Sequence, residues 1–233
     1  MLKPLFFLFC FSLPLTHCAV QYAVYLRMNA DLSYDFYNCI SHNNISMAFS
    51  ELMKYANVNF GRVNQLAIVY QQPTKLRVGG IWRPGAYSSD NNSDRKAFNN
   101  VNDMVAALEK NKSPVKTHFV NVVQADGSWT SNHADNVQAI NILLAQGIKS
   151  GFDMGIYTSA RDWAAITGNS TNLIAKVSLW YINDGGGVGQ DTPENFDDFV
   201  PFGPFTREHV VMKQFSNNAQ LCNNVVSRSV YYI

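Results

Sequence analysis

The sequence predicts an α/β protein, specifically a modified TIM-type β/α barrel. About five β/α units come first, and three strands with little helix between them follow. The predicted strands are short apolar runs that are continuous rather than alternating, which is typical of strands covered on both faces. Eight such runs favour a closed barrel, although the pattern alone leaves an open doubly wound sheet as an alternative.

The segment 152–183 is the clearest β/α unit of the chain. A strand over 154–157 leads into a polar turn and then a helix that carries Trp163 and stops at Gly168. A second strand covers 177–182. Strand, helix and strand in this order indicate a parallel βαβ unit, in which functional side chains follow the strand ends.

The remaining elements follow from the same apolar periodicities. The other predicted strands are 22–26, 45–49, 77–82, 116–124, 210–215 and 225–232. The other predicted helices are 31–41, 60–72, 94–110 and 132–149. Segment 184–203 is too polar and too broken for a helix and is predicted to be a loop.

Composition excludes several classes of protein. The chain has 233 residues, 47% of them hydrophobic and 15% charged, with a net charge of +1. This composition argues against disorder and against a nucleic-acid-binding surface, which would be basic. No P-loop or G-x-S-x-G motif occurs, and the histidines lack metal-ligand spacing, so no cofactor and no metal are expected.

The N-terminus resembles a secretory signal. Lys3 is followed by the apolar run 5–15, and Thr16 and Cys18 are small residues suited to cleavage after residue 18. We therefore expect a signal peptide over 1–18 and one secreted, extracellular domain over 19–233, without a membrane span because the run is too short. A buried N-terminal strand is the alternative.

Two cysteines remain after such cleavage, Cys39 and Cys222. In an oxidising compartment they predict one disulfide between the first and last parts of the domain, and two buried thiols are the alternative. N-glycosylation sequons begin at Asn44, Asn91 and Asn169.

Four motifs in the last third carry a family resemblance: GIYTSARDWAAITG at 155–168, LWYIN at 179–183, DTPENFDDF at 191–199 and KQF at 213–215. In this order they resemble nematode-type lysozyme-like proteins related to glycoside hydrolase family 25. The resemblance implies a lysozyme-like glycoside hydrolase barrel over 19–233. It also implies a secreted muramidase of innate antibacterial defence that acts on bacterial peptidoglycan.

The carboxyl groups that the resemblance implies are missing. Its strand-end Asp falls on Tyr25, its Asp-x-Glu falls on Val122 and Gln124, and a further Asp falls on Ser229. Glycoside hydrolysis needs carboxyl groups on both sides of the scissile bond, and a phenol or amide does not replace them at neutral pH. Surrogate carboxylates could come from Asp126 and Asp184, or from Glu51, although loop solvation or helix capping is the favoured interpretation of such residues.

Sugar binding does not need those carboxyl groups. Aromatic faces pack on sugar rings, and amides bond to the ring edges. The candidate ligand-binding residues are Trp82, Gln124, Tyr157, Trp180 and Asn183, with core packing as the alternative for each aromatic residue. The predicted function is a monomeric glycan-binding protein without catalysis. The alternatives are an active muramidase with relocated carboxylates, or a structural protein with an empty cleft.

Overall fold

The structure is a computed structural model that describes residues 19–26, 33–54, 57–71, 76–84, 91–113, 115–126, 129–186 and 190–233. The predicted signal segment 1–18 lies outside these residues. Within them, no helix is long and apolar enough to cross a membrane.

Within the described ranges, nine strands form one sheet, and eight of them close into the predicted barrel. The sheet order is β1-β9-β8-β7-β6-β5-β4-β2-β3, and the pairing of β1 with β2 closes it, which excludes the open sheet. The two-residue β3 only extends the end of β2. The strands are β1 Val20–Leu26, β2 Ile45–Lys54, β3 Asn57–Val58, β4 Arg77–Arg83, β5 Thr117–Val122, β6 Asp153–Thr158, β7 Ser178–Ile182, β8 Val210–Leu221 and β9 Asn224–Tyr232.

Strand direction divides the barrel into two parts. From β1 through β2, β4, β5, β6 and β7 to β8 every neighbouring pair is parallel. The last strand, β9, is antiparallel to both β8 and β1. A short turn is enough to join antiparallel strands, so the closing strand needs no crossover helix.

In the part of the chain that the structure describes, five α-helices lie between the parallel strands, as the periodicity predicts. They are α1 Tyr34–His42, α2 Phe60–Gln71, α3 Asn91–Lys110, α4 His133–Lys149 and α5 Ala160–Thr167. Their ends follow from local chemistry, because Ser33, Asn132 and Ser159 accept N-cap hydrogen bonds from the first turns of α1, α4 and α5. Gly168 ends α5 with a positive φ of 65°, a conformation that glycine adopts without strain.

The core has two layers. The larger layer lies between the helices and the outer face of the barrel. The smaller layer fills the barrel lumen around Trp180, whose ring lies 4.7 Å from the rings of Phe49 and Tyr157 and 5.4 Å from that of Phe119. The lumen is therefore a packed core, and a ligand has to bind at its mouth.

A row of aromatic rings packs along the outside of the last strands and reaches Trp163 on α5. Successive ring centroids are 4.9–6.1 Å apart. This aromatic row consists, in spatial order, of Tyr232, Phe196, Tyr181, Phe199, Phe202, Phe205 and Trp163. The loop predicted over 184–203 contributes Phe196, Phe199 and Phe202 to this cover.

A buried ion pair fastens this loop to β8. The Lys213 ammonium, which is fully buried, donates to Asp198 Oδ2 at 2.5 Å and to the Pro193 carbonyl at 2.7 Å. The Tyr181 hydroxyl donates to the other Asp198 oxygen at 2.6 Å. The loop is therefore held by charge as well as by apolar burial.

The predicted disulfide is present. Cys39 on α1 is bonded to Cys222, which lies in the turn between β8 and β9, and the two Cα atoms are 6.0 Å apart. The bond connects the beginning and the end of the barrel across 183 residues of sequence. The alternative of two buried thiols is wrong.

Candidate functional site

A cleft of about 780 Å³ lies at the carboxyl-terminal rim of the barrel. It is formed where β5, β6 and β7 end beside the middle of β8, because parallel strands bring their carboxyl ends to one rim. Its polar lining is rich in amides, which come from Gln124, Asn183, Gln214 and Asn217. Such groups both donate to and accept from hydroxyl and acetamido groups.

Four residues singled out from the sequence line this cleft. They are Gln124, Tyr157, Asn183 and Asp184. The sequence separates them by as many as 60 positions, and the parallel order of the strands brings them together. Their role in binding remains a prediction.

Gln214, which was not predicted from the sequence, connects two of these residues. The Tyr157 hydroxyl donates to Gln214 Oε1 at 2.7 Å, and Gln214 Nε2 donates to Asp184 Oδ2 at 2.7 Å. The other Asp184 oxygen accepts from the main chain of Gly186 at 3.1 Å. Gln214 is the middle residue of the KQF motif, and that position was the available signal.

The second carboxylate of the cleft, Asp162, stabilises the start of α5. Its Oδ2 accepts from the Ser159 hydroxyl at 2.6 Å, and its Oδ1 accepts from the main-chain N–H of Gln124 at 3.0 Å. These bonds connect the end of β5 to the first turn of α5. Asp162 therefore positions Gln124 at the cleft.

Asn183 is also positioned by a neighbour. Its side-chain amide donates to Asp198 Oδ2 at 2.9 Å, the same oxygen that accepts from Lys213. The ion pair that fastens the aromatic row thus also fixes one amide of the cleft.

Glu51 lies inside the barrel, bonded to two partners. It is only 1% exposed and accepts hydrogen bonds from the Tyr25 hydroxyl at 2.5 Å and from the guanidinium of Arg83. Burial, with the negative charge of Glu51, raises the pKa of Tyr25 well above its usual value. Tyr25 therefore remains a protonated donor, and Glu51 takes part in a buried ion pair rather than lining the cleft.

The side-chain order of β5 shows which of its residues face the lumen. Val122 packs in the outer layer between barrel and helices, whereas Phe119 and Val123 face the lumen. Because side chains alternate along a strand, Asn121 shares the lumen face with them. An inward Asp-x-Glu would therefore fall on Asn121 and Val123, which again are not carboxylates.

The two candidate tryptophans do not line the cleft. Trp82 is fully buried in the outer layer, and its indole N–H donates to His118 Nδ1 at 3.0 Å. Trp180 is fully buried in the lumen, and its indole N–H donates to Ser229 Oγ at 3.0 Å. Core packing, the alternative given for each aromatic residue, describes both.

Two predicted residues have side chains outside the described part of the structure. The side chains of Asp126 and Asn91 are not among the described residues. Asn44 and Asn169 are exposed, and the Asn169 side-chain oxygen accepts from the main chain of Gly203 at 3.0 Å. Glycosylation at these sequons remains a prediction. Over the described ranges, no cluster of three or more His, Cys, Asp or Glu residues could hold a metal ion.

Comparison with known proteins identifies sequence relatives. The family described as lysozyme-like protein 1 matches residues 16–215. Lysozyme-like protein 2 of Caenorhabditis elegans is 34% identical over 142 residues, which are 60% of this chain and 50% of that protein. The chain spans about half the length of the curated relatives that it matches.

Solved structures share the fold at low sequence identity. A family 25 lysozyme from Aspergillus fumigatus superimposes with a TM-score of 0.63 at 12% identity, covering 92% of this chain and 95% of that one. The autolysin LytC of Streptococcus pneumoniae, solved with a synthetic peptidoglycan ligand, gives a TM-score of 0.61 at 11% identity, covering 91% of this chain and 47% of that one.

Proposed function

Because the chain belongs to the lysozyme-like protein 1 family, we propose that it is a secreted antibacterial protein that binds peptidoglycan-type glycan without hydrolysing it. The binding site is the cleft at the carboxyl-terminal rim. The absence of carboxyl groups from the lumen face is the observation that supports the lack of hydrolysis.

Glycan binding is supported by the lining of the cleft. Amide side chains from the ends of β5 and β7 and from within β8 face a space of about 780 Å³, which is in the usual range for ligand sites. LytC, which has the same fold, was solved with a peptidoglycan ligand. A row of amides beside Tyr157 suits hydroxyl and acetamido groups.

The loss of hydrolysis rests on the lumen face at the rim. There the positions that need acids are Tyr25, Asn121 and Val123, and the nearby Glu51 is paired with Arg83. The two described carboxylates of the cleft, Asp162 and Asp184, each accept hydrogen bonds on both oxygens. No pair of described carboxylates is left open across the cleft to act as acid and base.

Two assays on the purified protein test glycan binding and the lack of hydrolysis together. We expect retention on insoluble peptidoglycan and no clearing of a bacterial cell-wall suspension. A Gln124→Ala/Asn183→Ala variant should lose most retention, whereas the Lys149→Gln change at the far end of α4 should leave it unchanged. Absence of retention would favour the structural protein with an empty cleft.

Restoring carboxyl groups tests why catalysis is absent. Tyr25→Asp/Asn121→Asp/Val123→Glu places acids on the lumen face of β1 and β5, where we expect cell-wall clearing to rise at least about a hundredfold above the wild-type background. The control is the isosteric Tyr25→Asn/Val123→Gln variant, which should stay inactive. A folded triple variant that remains inactive would show that more than these groups has been lost.

An active muramidase with relocated carboxylates is the second candidate, and the position of Asp184 in the cleft favours it. Clearing by the wild-type protein that Asp184→Asn or Asp126→Asn abolishes would establish it. Asp162→Asn is a poor test because that change also weakens the start of α5.

A further inference from the structure

Arg161 is the cationic residue among the described residues that line the cleft. It lies in the first turn of α5, and its side chain is exposed. Three other cations of the described chain form ion pairs: Arg83 with Glu51, Lys213 with Asp198 and Lys176 with Glu208. Arg161 forms no ion pair or hydrogen bond with the side chain of a described residue.

The two described carboxylates that line the cleft are bonded to other groups and not to Arg161. Asp162, the next residue, accepts from Ser159 and from the main chain of Gln124. Asp184, on the β7 side of the cleft, accepts from Gln214 and from the main chain of Gly186. The guanidinium of Arg161 therefore has its donors available at the edge of an amide-lined cleft.

We propose that Arg161 determines the specificity of the cleft for glycans that carry a carboxylate. This inference rests on the proposed glycan-binding function and names the class of glycan: an N-acetylated saccharide with an acidic substituent. A guanidinium binds a carboxylate through two parallel hydrogen bonds, a geometry that neither an amide nor an ammonium reproduces.

The charges of the cleft also set the orientation of such a ligand. Asp162 and Asp184 disfavour an anion elsewhere along the lining, so the carboxylate is directed to Arg161. The sugar's hydroxyl and acetamido groups then face Gln124, Asn183 and Asn217. A neutral N-acetylated saccharide makes the contacts with the amides but lacks the contact with Arg161.

Calorimetric binding of two matched probes tests this role. The probes are the disaccharide N-acetylglucosaminyl-N-acetylmuramic acid with a free carboxyl group and its methyl ester. We expect the wild-type protein to bind the acid about fivefold more tightly than the ester, as an exposed but bidentate ion pair would give. Arg161→Gln should bind both probes with the affinity of the ester, and Arg161→Lys should lie between.

Lys149→Gln is the control, since it removes the same charge at the opposite end of the barrel and should keep the preference. Equal wild-type affinities for acid and ester, or a preference that survives in Arg161→Gln, would overturn the inference. Retention on insoluble peptidoglycan, measured on the same preparation, separates it from the proposed function. Retention without preference overturns only the role of Arg161, whereas absence of both retention and probe binding overturns both.

Discussion

The two parts of the barrel are covered by different means. Strands β1 to β6 are packed against amphipathic helices, whereas the outer face of β7 and β8 lies under the aromatic row, to which an irregular loop contributes three of seven rings. Both coverings bury the same kind of apolar strand surface. The barrel therefore requires apolar cover on its outer face but not a helix to provide it.

The ion pairs of the two parts also differ in which elements they join. Glu51 and Arg83 lie in the lumen of the helix-covered part, where packed strands already fix their positions. Lys213 and Asp198 lie outside the barrel and join a loop to a strand. A loop lacks the repeating hydrogen bonds of a helix, so a specific charged contact has a larger share in holding it.

Among the variants that test this difference at neutral pH, Lys213→Met should lose the most stability. It leaves the partly exposed Asp198 without its cation, and we expect the free energy of unfolding to fall by about 3–4 kcal/mol in urea titrations. Lys176→Met, which breaks the exposed pair with Glu208, should change it by less than about 1 kcal/mol. Similar losses in the two variants would mean that the loop does not depend on the buried pair.

Truncation of the aromatic row should have a comparable but somewhat smaller effect. Phe205 is buried between Trp163 and Phe202, with ring centroids 5.1 and 5.3 Å away. We expect Phe205→Ala to lower the free energy of unfolding by about 3 kcal/mol, mainly through the cavity it leaves. Leu144→Ala on α4, measured in parallel, should lose a similar amount if the two coverings are energetically equivalent.

The third effect is absent at neutral pH and develops only on acidification: a pH dependence that belongs to the helix-covered part. Burial lowers the pKa of His118 to about 3, so the folded protein keeps the ring neutral while the unfolded chain protonates near pH 6.5. The unfolded state then binds more protons, and the free energy of unfolding should fall as pH drops from about 6.5 towards 3. The slope is at most about 1.4 kcal/mol per pH unit.

His118→Gln is the variant that isolates this contribution. It keeps an acceptor for the Trp82 indole and has no proton to gain, so its unfolding free energy should depend less on pH over that interval. His42→Gln, at an exposed position, is the matched control and should keep the wild-type slope. An unchanged slope in His118→Gln would show that other groups cause the acid sensitivity.

Much of the candidate site could be located from the sequence, because it lies where strands end. Gln124, Tyr157, Asn183 and Asp184 follow or terminate apolar runs, and they do line one cleft. Gln214 was missed because it lies within a strand rather than after one. Trp82 was misplaced because an aromatic residue near a strand end has an equal chance of facing the helices or the lumen.

The sequence by itself determined the eight barrel strands, the five helices, the helix-poor ending and the pairing of Cys39 with Cys222. Each depends on local periodicity, capping or a count of cysteines. Only the tertiary structure decided that Asn121 and Val123, rather than Val122, face the lumen, and that Lys213 finds Asp198. The physical reason is that a one-residue shift of register exchanges the faces of a strand, and the register is set by pairing with distant strands.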